Sequence, residues 1–179
     1  MIFSFFPAGR RLARLFPVVA ALALGGCTKE ASTTAPNQAQ IEAQKKIDND
    51  LISAYVTAQG LRAVRRPSGL TYVKIDSAAA AEPLASAGKR ATVNYYGKLL
   101  NGTADGSQFD SSYSRGTPFS FVVGRGEVIA GWDEAVALMR KGDRWRVIIP
   151  SHLGYGASRQ GPIPANAVLV FYMKLENVQ

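Results

Sequence analysis

The chain has 179 residues, 47% hydrophobic and 19% charged, with 21 Lys and Arg against 13 Asp and Glu. That balance suits one globular domain with extensions and excludes a wholly disordered chain. A single cysteine, Cys27, and a single histidine, His152, exclude an internal disulfide framework and leave no His/Cys cluster with zinc spacing.

The chain opens on Arg10, Arg11 and Arg14, then an apolar run from Leu15 to Leu24, then Gly25, Gly26 and Cys27. A basic start, a short apolar stretch and small residues before a cut make a secretory signal. The run is about half of the roughly 20 residues that a membrane-spanning helix needs. Leu24-Gly25-Gly26-Cys27 resembles the lipobox of bacterial lipoproteins. That resemblance implies removal of 1–26, acylation of Cys27 and a lipid-anchored place in the cell envelope, at the outer membrane facing the periplasm. The alternative is a plain cleavable signal that leaves a free Cys27.

Three of the basic residues, and none of the acidic ones, lie in this leader, so the formal charge falls from +8 to +5 without it. The remainder shows no aromatic–basic pattern of the single-strand-binding kind, and no nucleic-acid partner is expected. Weak attraction to anionic lipid headgroups near the anchor is compatible with it.

Residues 27–40 are small and polar and read as a tether. In the helical segment 41–66, Ile47, Leu51 and Tyr55 recur at i, i+4, i+8, with Ile52 and Val56 beside them and Gly60 as a stop. This amphipathic helix is expected to pack on the body of the protein rather than to pair two chains, giving a monomer or a weak dimer. From 67 to 179 the period becomes that of strands, at 70–75, 90–100, 119–123, 144–149 and 168–176. An Ala-rich connection at 76–88 has room for a turn of helix. One short helix is predicted from Ile129, Trp132, Val136 and Met139, with Gly142 as its cap. The class is α+β, an antiparallel sheet with one helix laid across it. Arg144 and Arg146 alternate with Trp145 and Val147, the pattern of a solvated strand face.

Familiar enzyme signatures are missing. His152 is the only imidazole and no serine sits in a nucleophile elbow. Gly124-Arg125-Gly126 lacks the third glycine and the strand–helix context of a dinucleotide site. Asn101-Gly102 reads as hairpin turn chemistry.

What stands out is a set of aromatics in short strings: Phe109-Asp110-Ser111-Ser112, Pro118-Phe119, Glu127-Val128-Ile129-Ala130-Gly131-Trp132, Gly154-Tyr155-Gly156, Ile163-Pro164 and Leu169-Val170-Phe171. In this order and spacing the chain resembles the FKBP-type peptidyl-prolyl cis-trans isomerases from about Lys89 to Val178. The helix leading into Pro67-Ser68-Gly69-Leu70 is similar to the leader of bacterial extracytoplasmic members. The resemblance implies a twisted half-barrel wrapped around one helix. It also implies catalysis of rotation about X-Pro bonds in exported proteins, macrolide inhibitors as ligands, and no cofactor.

Carried over, Trp132 would be the floor of an apolar cup, with Tyr95, Phe109, Phe119, Val128, Ile129, Ile163 and Phe171 as walls. The Ile129 N–H and Tyr155 hydroxyl would bind substrate carbonyls. Asp110 would sit at the rim, bonded to Tyr95 and near Arg115. Taken singly, Trp132, Phe119, Phe121 and Phe171 read as ordinary core, Asp110 as a turn residue and Tyr155 as a loop aromatic; only their joint occurrence points to a site.

Two departures stand out. The segment Asn101–Gln108 is longer than the compact family hairpin and is expected to bulge as a mobile tip. The loop 157–162 is slightly shorter and more polar than in some members. The rival function is a binding module or chaperone on the same fold, working without turnover.

Overall fold

The structure, a computed structural model, describes residues 37–179. The leader 1–26, the acylation at Cys27 and most of the tether lie outside the described residues.

Helix α1 (Gln38–Ala58) begins inside the segment read as tether. Asn37 caps it: its side chain accepts the Gln40 N–H, while the Gln40 side chain accepts the Asn37 N–H. This reciprocal box satisfies two donors at the helix start. At the far end Leu61 donates to the Val56 carbonyl at 3.0 Å and Gly60 to that of Thr57 at 3.1 Å. The left-handed φ of +60° at Gly60 makes that closure possible. The buried face carries Asp48, Ile52 and Tyr55, whereas Ile47 is 54% exposed. The face is therefore turned by one residue from the expected stripe, so that it brings a carboxylate inward.

Seven antiparallel strands follow: β1 (Val64–Arg65), β2 (Thr71–Asp76), β3 (Arg90–Asn101), β4 (Ala104–Ser111), β5 (Phe119–Val122), β6 (Arg144–Ile149) and β7 (Leu169–Val178). Their order is β1-β2-β6-β7-β3-β4, and β5 also pairs with β3. Five match the predicted strands to within two residues. Strands β1 and β4 do not appear in the sequence pattern. The mobile tip expected at 101–108 is corrected: only Gly102 and Thr103 turn, Asn101 ends β3 and the rest is β4. The surplus length is taken up by register shifts opposite Gly97/Lys98 and Lys98/Leu100, bulges that bend the strand instead of freeing it. The Ala-rich connection holds a turn, closed by Glu82 N–H to Ala79 O, and no helix.

Helix α2 (Ser112–Arg115) is a single turn, and α3 (Ala130–Val136) is shorter than its pattern suggested. Met139 is fully buried in the turns after α3, and Gly142 starts the approach to β6 instead of capping the helix. Helix α3 sits close on the sheet, because a Cβ on Gly131 would stand 2.5 Å from Ile149 Cγ2.

Both faces of β6 and β7 are covered. Trp145, Val147, Ile149, Leu169, Phe171 and Met173 pack toward Trp132, Ala135 and Val136 of α3. Ile148, Val168 and Val170 meet Ile52 and Tyr55 of α1 on the other side. That is why Val147–Ile149 and Leu169–Phe171, covered on both sides, are unbroken apolar runs. It also corrects the reading of the basic face. Arg144 is exposed and paired with Asp76 at 2.9 Å. Arg146 lies under α1, donating to the Tyr55 hydroxyl at 3.2 Å with its guanidinium 4.7 Å from the Tyr172 ring.

Candidate active site

Helix α3 delivers Trp132 to the concave side of the sheet, where its ring is 4% exposed. Tyr95 on β3, Phe119 at the start of β5 and Phe171 on β7 meet it edge-on, at centroid distances of 4.7, 6.1 and 5.2 Å. Edge-to-face contact suits the ring quadrupoles and holds each ring in one orientation. The result is a cavity of about 380 Å³ with an aromatic floor. Nine of the ten expected residues line it: Tyr95, Phe109, Asp110, Phe119, Val128, Ile129, Trp132, Tyr155 and Phe171.

Gly97 sets one wall. A Cβ there would come within 2.7 Å of both Phe109 Cζ and Phe171 Cε1, so the two rings close over bare backbone. They meet each other edge-on at 5.6 Å. The next two serines hold this stretch. Ser111 accepts the Ser114 N–H as the cap of α2, and buried Ser112 accepts the Tyr95 N–H at 2.9 Å.

The opposite wall is tied to α3. Asp133 accepts the Gly124 and Gly126 N–H groups at 2.8 and 3.0 Å, which pins the loop carrying Val128 and Ile129. Ile129 precedes the helix in an extended conformation, and among the described residues its N–H meets no protein acceptor.

At the rim, the Tyr95 hydroxyl and the Arg115 guanidinium both donate to Asp110, and Arg115 also donates to the Tyr95 oxygen at 2.8 Å. Burial pushes the Asp110 carboxyl up, but these donors outweigh it and hold the group below the usual carboxylate range. Burial and the bond to Asp110 raise the Tyr95 phenol. Burial, with the charge of Asp110, raises that of Tyr155. Tyr155 is 36% exposed, and its hydroxyl bonds to no protein group among the described residues.

The family profile of FKBP-type peptidyl-prolyl cis-trans isomerases matches residues 82–176. The chain belongs to this family. FKBP-type peptidyl-prolyl cis-trans isomerase FkpA of Buchnera aphidicola subsp. Schizaphis graminum is 35% identical over 147 residues, 80% of this chain and 56% of that protein. FK506-binding protein 2 of Debaryomyces hansenii is 51% identical over 87 residues, 49% of this chain and 62% of that protein. The chain thus spans under two thirds of the length of both relatives. The crystal structure of AtFKBP13 is similar with a TM-score of 0.60 at 33% identity, over 66% of this chain and 99% of that one.

Within this FKBP domain two residues differ from their expected places. Ile163 does not line the cavity; it is 4% exposed within the core, and its backbone pairs with Gln160 in both directions at 2.9 Å. It closes the loop after Tyr155 from behind. An apolar residue in a string looks the same whether it faces ligand or core. Glu127 lines the cavity and was not expected as a site residue. Its carboxylate accepts the Val122 N–H at 3.0 Å, and a lone acid before Val128-Ile129 was the only available signal.

Proposed function

We propose that the domain catalyses cis–trans isomerisation of X-Pro peptide bonds in exported proteins, tethered to the cell envelope by a lipid on Cys27. The observation that carries the catalytic reading is the aromatic cup over Trp132, with an uncommitted Ile129 N–H and Tyr155 hydroxyl at its edge. A prolyl ring is apolar and compact, and the cup has room for it.

Resonance in the peptide bond sets a barrier of about 18–20 kcal/mol, and uncatalysed prolyl isomerisation takes tens to hundreds of seconds. In the twisted transition state that resonance is lost and the amide is less dipolar. A dry apolar cup therefore disfavours the planar ground state more than the twisted one. Donors from Ile129 and Tyr155 would hold the flanking carbonyls while one side of the bond turns. The chemistry asks for no proton transfer.

A protease-coupled assay on an X-Pro tetrapeptide is expected to show a rate above background that a macrolide of the FK506 class suppresses. Because Asp110 is lowered, and Tyr95 and Tyr155 raised, kcat/KM is expected to stay flat from about pH 5 to about pH 9. No rate above background at micromolar enzyme refutes catalysis and leaves a binding module.

The leader's basic start, short apolar run and Leu24-Gly25-Gly26-Cys27 support export and acylation. Mass spectrometry of the mature amino terminus is expected to find acylated Cys27; an unmodified thiol removes the anchor. Packing of the apolar face of α1 on its own sheet supports a monomer.

A further inference from the structure

The loop bearing Tyr155 is held from an unexpected direction. Tyr155 lies between Gly154 and Gly156, and both glycine N–H groups donate to the Ser151 carbonyl at 2.9 Å. Gly156 in turn accepts the Asn166 N–H at 2.7 Å. Ser151 is thus the node on which the Tyr155 turn hangs.

Both donors of Ser151 end on one carboxylate oxygen of Asp48: the N–H at 2.8 Å and the hydroxyl at 2.6 Å. The other oxygen accepts from the Gln44 side chain at 2.8 Å. Asp48 is fully buried on α1, 103 residues away in sequence and outside the stretch that matches the family. A buried carboxylate costs free energy unless donors surround it, and here three do. An Ala or Leu at this position would pack the helix but leave both buried Ser151 donors without an acceptor, so the carboxylate serves Ser151 as well as the docking of α1.

We propose that Asp48 is a positioning residue: through Ser151, the N-terminal helix sets the Tyr155 turn and hence the placement of the substrate-binding hydroxyl. The inference rests on the isomerase reading for its consequence in rate, but the geometry of the turn can be tested without it.

The test is a double-mutant cycle on the full-length chain with the X-Pro tetrapeptide. Asp48→Ala is expected to lower kcat/KM about tenfold when Tyr155 is present, and less than about twofold in the Tyr155→Phe background. Asp48→Asn, whose amide oxygen can take both Ser151 donors, is expected to stay within about threefold of the parent. If Asp48→Ala does not fold, Ser151→Ala, which removes only the hydroxyl bond, runs the same cycle.

Amide exchange supplies the readout that does not depend on turnover. The Gly154 and Gly156 amides are expected to exchange about tenfold faster in Asp48→Ala, while the Leu175 amide on β7 is unchanged. Equal losses of rate in both backgrounds, or unchanged exchange at both glycines, overturn the inference. An inactive parent removes the isomerase reading instead, and exchange alone then decides whether Asp48 holds the turn.

Discussion

Replacement of Trp132 by Ala is expected to destabilise the domain by about 3–5 kcal/mol and to remove isomerase activity. The ring is 4% exposed and touches Tyr95, Phe119, Phe121 and Phe171, so its loss strips contacts from four aromatic neighbours at once. The void opens onto the existing cavity, and water entering it would solvate the planar amide that the cup is built to strand. Urea denaturation followed by the tetrapeptide assay, at a temperature where the variant is still folded, separates the two effects. A folded Trp132→Ala variant with the parental rate would show that Trp132 is core alone, the role that its helical spacing by itself suggests.

A single methyl group on Gly97 is expected to cost about 1–3 kcal/mol in stability and more than tenfold, as an order of magnitude, in kcat/KM. On propensity alone Gly97→Ala should help, since glycine weakens a strand interior. The added Cβ, however, meets Phe109 and Phe171 at 2.7 Å, nearer than van der Waals contact permits. Both rings must shift from their edge-on positions, and both are walls of the cup. Trimming one obstacle tests the cause: Gly97→Ala with Phe109→Leu is expected to regain part of the lost melting temperature, the Phe171 contact remaining. If the double variant is no more stable than Gly97→Ala, the Phe109 contact is not the reason.

The readings that held and those that were corrected divide along a physical line. Strands β3, β6 and β7 are legible because their side chains alternate, or run apolar, in register with what covers them. The strings around Phe109, Val128–Ile129, Tyr155 and Phe171 line one cavity: Phe109 is near the end of β4, Val128–Ile129 lead into α3, Phe171 is near the start of β7, and Tyr155 is in the loop between β6 and β7. β4 is not legible, since its Gly, Asp and Ser residues are turn formers. It is held as a strand by pairing with β3 and by Asp105, which accepts the Tyr55 and Tyr172 hydroxyls at 2.6 and 2.8 Å. The same long-range arrival of α1 places Arg146 under cover and turns Asp48 inward.

The sequence by itself determined the apolar periods, the aromatic strings and the basic, apolar and small-residue order of the leader, because these are local patterns of side-chain type. Tertiary structure alone decided which polar groups are buried and where backbones touch. Asp48 needs Ser151 from 103 residues away, Gly97 needs two rings from β4 and β7, and Gly131 needs Ile149. A polar or absent side chain carries no record of its partner in its own neighbourhood; that information exists only once distant elements have packed. The composition that first read as a basic domain with extensions contains, in one of those extensions, the carboxylate on which the Tyr155 turn rests.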